Sequence, residues 1–340
     1  MTRTRARHGF GRALGILALG LLTMLIGAPA ATAVPPSTTH GTHTASSGGP
    51  CTPRSALDRL ADYIRTQQAP DGSFPGIGPG STADAVYSLA AAGVDPSTVT
   101  TNGNSPIDYI YSRTDDLDTG VAARFLLALI VSGHSTTAPN GIDFVRAVES
   151  GYEPATGLFG VNLTAHSYAM IALRAAGRPV PSAAADALRA RQRADGGWSH
   201  YVPARNSDTN TTAVALVALR AVGGAHPDTV RRALAYLRTQ QAAGDGGFTF
   251  STEYGTASDT NSTALVVVAL RVLGQDLAAW AQNGNHVVTR LLAFQNPSGA
   301  FRHTDEFPTD NPYASYQAGP ALAATLCRTG VTPNAGAMGS

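Results

Sequence analysis

Residues 207–223 read SDTNTTAVALVALRAVG and residues 258–274 read SDTNSTALVVVALRVLG, the same stretch almost letter for letter. Self-similarity of this kind marks a repeat protein, in which one supersecondary unit is stacked on copies of itself. Fainter copies close on SLAAAG (88–93), LALIVSG (127–133), MIALRAAG (170–177) and PALAATLC (320–327), so the unit is used about six times.

Outward from these copies, two kinds of helix alternate. One series carries its charges on one face: 56–68, 106–113, 142–150, 182–193, 228–241 and 287–295. The other is apolar nearly all round: 83–92, 120–131, 165–176, 212–222, 263–273 and 313–326. A helix that is apolar on every face must be buried on every face. Six inner helices ringed by six outer ones satisfy both patterns, so the expected fold is all-α, an α6/α6 toroid spanning 51–330 as a single domain. Cys51 and Cys327, the only cysteines, lie at the two ends of this region, a placement that suggests a disulfide joining the first and last repeats. A barrel closed in this way fits better than an open solenoid, which needs polar capping repeats.

A second element recurs between the two series. Gln68 and Phe74, Gln192 and Trp198, and Gln295 and Phe301 share the form Q…G-x-aromatic, with Gln241 and Phe248 one residue looser. The glycine permits a positive-φ turn at the end of the outer helix, and the aromatic packs back over it. The glutamine amide is expected to satisfy leftover backbone groups at that helix end.

The termini read differently. Arg3, Arg5, Arg7 and Arg12 precede the apolar run 13–26, and Ala31-Thr32-Ala33 has the form of an A-x-A cleavage site, so 1–33 is expected to be an export signal. Its apolar run is about 14 residues against the ~20 needed to span a bilayer, so no stable membrane span is expected after cleavage and the product is expected to be secreted. Residues 34–50 are rich in Pro, Ser, Thr and Gly and read as a flexible leader, with His40 and His43 as part of a solvated tether. Residues 331–340 read as a short disordered tail. The chain has a net charge of +1 from 24 basic and 23 acidic residues, and losing the four arginines of the signal leaves 20 against 23, or −3. That balance does not suggest a nucleic-acid partner.

With these elements in place, the chain resembles the α/α-toroid family of squalene and terpenoid cyclases and of the β subunits of protein prenyltransferases, whose repeats carry Q-x-x-x-G-x-W elements. The resemblance covers roughly 54–327. Family members that protonate an alkene or epoxide carry D-x-D-D-T-A at the start of an inner helix, with the middle acid as proton donor. The matching stretches here are Asp208-Thr209-Asn210-Thr211-Thr212-Ala213 and Asp259-Thr260-Asn261-Ser262-Thr263-Ala264. Asparagine stands at the donor position, and an amide cannot deliver that proton. The prenyltransferases hold zinc with an Asp-x-Cys pair and a His on the last inner helix. The matching stretches have no Cys, and 311–316 (NPYASY) has no His, so neither a metal nor another cofactor is implied. A third branch of the fold comprises secreted cobalamin carriers. Export, a single barrel and the missing acids agree with such a carrier, although 331–340 reads only as a short tail where those carriers have a C-terminal β domain.

In such a toroid the positive N-terminal ends of the inner helices gather at one mouth, which suits an anionic or strongly polar ligand group. Asp118, Asp208 and Asp259 stand at those ends, where N-capping also accounts for them. Asn210 and Asn261 are expected one turn further in, where capping does not. Asp84, Arg124, His166, Tyr313, Tyr316 and Gln317 interrupt the apolar series. Either they satisfy one another, Asp84 with Arg124 first, or they face a cavity in which His166 and Asp84 are the nearest approach to an acid/base pair. The expectation is an exported toroid that binds a small, largely apolar or amphipathic ligand, isoprenoid-like or cobalamin-like, without the usual catalytic motifs. The alternatives are a cyclase- or prenyltransferase-type enzyme using other acids, such as Asp84, Asp118 or Asp259, and a scaffold for another extracellular protein, which predicts an interior filled by side chains.

Overall fold

The computed structural model describes residues 49–113, 117–201 and 206–327. The expected export signal, the leader as far as residue 48 with His40 and His43, and the expected tail lie outside the described residues. Twelve α-helices within them alternate between two layers. The outer helices are α1 (Arg54–Arg65), α3 (Pro106–Ser112), α5 (Phe144–Glu149), α7 (Ser182–Ala190), α9 (Pro227–Gln240) and α11 (Val287–Ala293). The inner helices are α2 (Gly80–Ala91), α4 (Thr119–Ser132), α6 (Leu163–Ala175), α8 (Thr209–Ala221), α10 (Thr260–Val272) and α12 (Pro312–Ala324). Each inner helix packs on the next, and α12 returns to α2, which closes an all-α toroid. Two two-residue hairpins, at 152–159 and 281–286, stitch connecting loops. No described helix is long and apolar enough to cross a membrane.

The inner helices begin earlier than their apolar runs, because a polar cap precedes most of them. Asp118, Asn162, Asp208, Asp259 and Asn311 accept the backbone N–H of Val121, Ala165, Thr211, Ser262 and Ala314. A cap of this kind contributes about 1 kcal/mol. Asn210 and Asn261 therefore stand in the first helical turn and not one turn further in.

The recurring Q…G-x-aromatic element does more than end an outer helix. The Nε2 groups of Gln68, Gln192, Gln241 and Gln295 each donate to the carbonyl of their own turn glycine and to a carbonyl of the next outer segment, at Val99, Thr229, Trp280 and Ala56. The buried N–H of each aromatic, Phe74, Trp198, Phe248 and Phe301, donates to a hydroxyl of the following inner helix, at Thr82, Thr212, Thr263 and Ser315. One element thus fastens two outer segments and one inner helix. Each such bond is worth about 1 kcal/mol net.

The ring has a seam where α12 meets α2. Pro320 has no N–H, so the Tyr316 carbonyl one turn earlier lacks its helical donor. The Ser88 hydroxyl on α2 supplies one at 2.6 Å and accepts in turn from the Gly319 N–H. A side chain at 319 would collide with Ser88, its Cβ falling 2.2 Å from Oγ. Past α12, the Thr52 N–H donates to the Thr325 carbonyl at 2.8 Å and the Cys327 N–H to the Thr52 carbonyl at 2.9 Å. The Cys51–Cys327 disulfide then closes the ring.

Candidate functional site

The anchoring bonds fix how each inner helix is rotated. On α6 the anchor is His166: the Phe159 N–H donates to its Nδ1 at 2.9 Å, while its Nε2–H donates to the Ala184 carbonyl on α7 at 3.1 Å. It holds the place that Thr82, Thr212, Thr263 and Ser315 hold elsewhere. Two residues before the anchors lie Gly80, Thr164, Asn210, Asn261 and Tyr313, and two residues after them lie Asp84, Tyr168, Val214, Leu265 and Gln317. Five residues after them lie Tyr87, Ile171, Val217, Val268 and Pro320, and α4 adds Gly120, Arg124 and Leu127 to the three layers. All of these except Asn261 line the interior.

That interior is hollow. An upper chamber of about 570 Å³ opens among the inner-helix N-termini, with Asp118, Asn162 and Asp208 at its wall. A lower chamber of about 210 Å³ continues toward the C-terminal ends among Ala91, Val131, Ala324 and Leu326. Tyr168, Val214, Leu265 and Gln317 border both. An interior filled by side chains, as expected of a pure scaffold, is not what the ring encloses.

The layer between the chambers is polar on one side. Asp84, only 2% exposed, lies 3.5 Å from Arg124 Nη2 and accepts from Gln317 Nε2 at 3.1 Å. Gln317 Nε2 also donates to the Tyr313 hydroxyl at 2.9 Å, and Gln317 Oε1 accepts from Asn261 Nδ2 at 2.9 Å. Asn261 Oδ1 is taken by His303 Nδ1–H at 3.1 Å, so Asn261 serves this network from behind the wall. The Arg124 guanidinium sits 4.7 Å from the centre of the Tyr168 ring. Burial raises the Asp84 carboxyl above the usual carboxylate range, and Arg124 and the Gln317 amide offset this only in part. Burial, and then Asp84, push the Tyr313 hydroxyl up to about 12. Across the chamber the same layer is Val214 and Leu265, so α2, α4, α6 and α12 present a polar arc and α8 and α10 an apolar one.

The remaining candidate residues separate. Asp118 stands at the mouth as a cap. Asp208 accepts from the Thr211 and His200 N–H groups, and Asp259 from the Ser262 N–H and hydroxyl. Burial raises both carboxyls. Asp208 borders the upper chamber, whereas Asp259 stays behind its wall. Tyr316 is buried in the wall of the lower chamber, its ring edge-on against Phe74 at 5.6 Å. His166 is a correction to the reading from sequence. It points away from the axis, and Asp84 points toward it, so the two form no acid/base pair.

His166 is the neutral Nε2–H tautomer, and burial lowers its pKa to about 4. Protonation is therefore resisted in the fold but not in the unfolded chain, where histidine titrates near 6.5. Its contribution is present above about pH 6.5 and is lost as the pH falls toward 4, by up to about 3 kcal/mol. Urea unfolding between pH 7 and pH 4 should show a stability slope that His166→Thr flattens; an unchanged slope would contradict this placement.

Sequence reasoning missed Tyr168, Thr164, His200 and His303. A signal for the two histidines was present, because each stands two residues after the aromatic of a Q…G-x-aromatic element.

In comparisons with known proteins, no family model and no curated protein matches the chain. Solved structures do. The type II terpene cyclase MstE from Scytonema, bound to its substrate geranylgeranyl dihydroxybenzoate, is 14% identical with a TM-score of 0.56, over 80% of this chain and 96% of that one. Its product complex with merosterolic acid A is 13% identical with a TM-score of 0.56, over 79% and 96%. A protein from Actinoplanes is 16% identical with a TM-score of 0.55, over 80% and 98%. The fold is thus the terpenoid-cyclase toroid, and at these identities the likeness is one of fold.

Proposed function

We propose that this protein binds a small, amphipathic, largely apolar molecule inside the toroid, as an exported carrier. The observation that supports this most is the hollow, two-faced interior: a polar mouth leads past the Asp84–Arg124–Gln317 arc into an apolar lower chamber. Asp208 and Asp259 are occupied as helix caps, and in the sequence resemblance Asn210 and Asn261 take the position of the cyclases' proton-donating acid. Export rests on the signal-like residues 1–33.

A test uses straight-chain 1-alkanols from octanol to dodecanol as probes, read by thermal stabilisation. Each methylene drawn into an apolar chamber is worth about 0.8 kcal/mol, so affinity should rise about 4-fold per carbon. Val217→Trp or Val268→Trp, in the wall of the lower chamber, should halt that rise. A flat series, or no binding by any probe, would overturn the reading.

A second reading is favoured by one observation. Asp84 is a carboxyl at the wall of the lower chamber whose pKa burial raises, the direction that favours proton donation. On that reading, turnover of an isoprenoid substrate is lost in Asp84→Asn and retained in Asp71→Asn, in an exposed turn. Turnover that survives Asp84→Asn would dismiss it.

A further inference from the structure

The binding reading can be carried to the chemistry of the ligand, because the polar network of the inner wall runs in one direction and ends at the upper chamber. His303 Nδ1–H donates to Asn261 Oδ1, Asn261 Nδ2 to Gln317 Oε1, and Gln317 Nε2 to the Tyr313 hydroxyl oxygen. Asp84 fixes that direction, since its carboxyl accepts from the same Nε2 and so holds the Gln317 amide in one orientation. The Tyr313 oxygen is therefore an acceptor within the network, and its proton has no acceptor among the described residues. With its pKa pushed up to about 12, the hydroxyl keeps that proton at neutral pH.

Beside Tyr313 lies the Arg124 guanidinium, a group that can only donate. The upper-layer position on α2 is Gly80, and a Cβ there would fall 2.5 Å from Arg124 Nη1, so the missing side chain is what lets the guanidinium reach this layer. Arg124 keeps 17% of its side chain exposed, Tyr313 is half-buried, and both line the upper chamber, where a ligand can reach them. Asp118 and Asp208, on the wall of the same chamber, are turned to the N–H groups they cap. Resting on the binding reading, we propose that Arg124 and Tyr313 form a ligand subsite for a neutral carbonyl oxygen, of a ketone or an ester, whose hydrocarbon chain runs past Val214 and Leu265 into the lower chamber. Charge selects the neutral group. Arg124 repels a cation at contact distance, whereas an anion beside Arg124 also meets Asp84, Asp118 and Asp208. A carbonyl oxygen offers two lone pairs to the two donors.

The test compares 2-undecanone with 2-methyl-1-undecene, in which a methylene replaces the carbonyl oxygen at nearly the same shape. Each is titrated into wild type and Tyr313→Phe, with binding read by thermal stabilisation. Losing one donor should weaken the ketone about 3- to 10-fold, the range expected of one net hydrogen bond, and leave the alkene unchanged. Arg124→Met, with its fold checked by circular dichroism, should discriminate against the ketone in the same way; if it does not fold, Tyr313→Phe decides alone. Wild type should also bind methyl decanoate more tightly than decanoate at neutral pH. A ketone no more sensitive than the alkene to Tyr313→Phe, or decanoate bound more tightly than its ester, would overturn the subsite and leave the binding reading standing. If wild type binds neither the ketone nor the alkene, the binding reading fails and the subsite falls with it.

Discussion

Gly246→Ala should cost about 4 kcal/mol or more, placing it among the most damaging single substitutions in the chain. Gly246 has φ 77°, which alone disfavours alanine by about 1 kcal/mol. The larger part is steric. A Cβ there would lie 2.3 Å from the backbone carbonyl oxygen of Asn285, just before α11, and 3.0 Å from its carbon. A backbone atom cannot swing aside as a side chain does, so one repeat must separate from the next. Gly72, Gly196 and Gly299 face the same clash, each 2.3 Å from a carbonyl oxygen, of Ser105, Arg232 and Arg59. Gly274 supplies the control, because its φ is 68° but no atom lies within 4 Å of its Cβ position. Gly274→Ala should cost only about 1 kcal/mol. Urea midpoints of the two variants decide the matter, and equal losses would mean that the repeat contact is looser than described.

Reducing the Cys51–Cys327 bond should be the second large effect. Its sequence separation is 276 residues, and in the chain-entropy model a loop of that length stabilises the fold by about 6 kcal/mol. Residual structure in the unfolded chain lowers the realised figure. For a protein of this size, Tm should fall by about 10 °C or more with reductant, or in Cys51→Ser. The reduced ring should still close at moderate temperature, because the Thr52 pairing with Thr325 and Cys327 and the Ser88 bridge to Tyr316 do not depend on the disulfide. A Tm indifferent to reductant would show that those contacts alone hold the seam.

Much of this was legible in the sequence, for identifiable reasons. The duplicated stretches 207–223 and 258–274 and the all-round apolar helices left few folds other than a closed double ring, and the disulfide followed from where the two cysteines stand. The Asp84–Arg124 contact was legible because the two occupy the same offset in neighbouring repeats. His166 was misread because a polar residue in an apolar helix looks like a cavity residue. Its true neighbours, the Phe159 N–H and the Ala184 carbonyl, belong to a loop and an outer helix that helical periodicity does not relate to it. The depth of Asn210 was misjudged because it stands only two residues past the cap at Asp208, less than one helical turn of about 3.6 residues.

The central claim is that the hollow toroid exists to hold a small amphipathic molecule. Native mass spectrometry of the protein purified from its own source, before and after denaturation, tests it most directly. A discrete small-molecule mass carried by the folded chain and lost on unfolding is the predicted result. A folded chain with only its own polypeptide mass, which also gains no mass when offered alkanols, would contradict it.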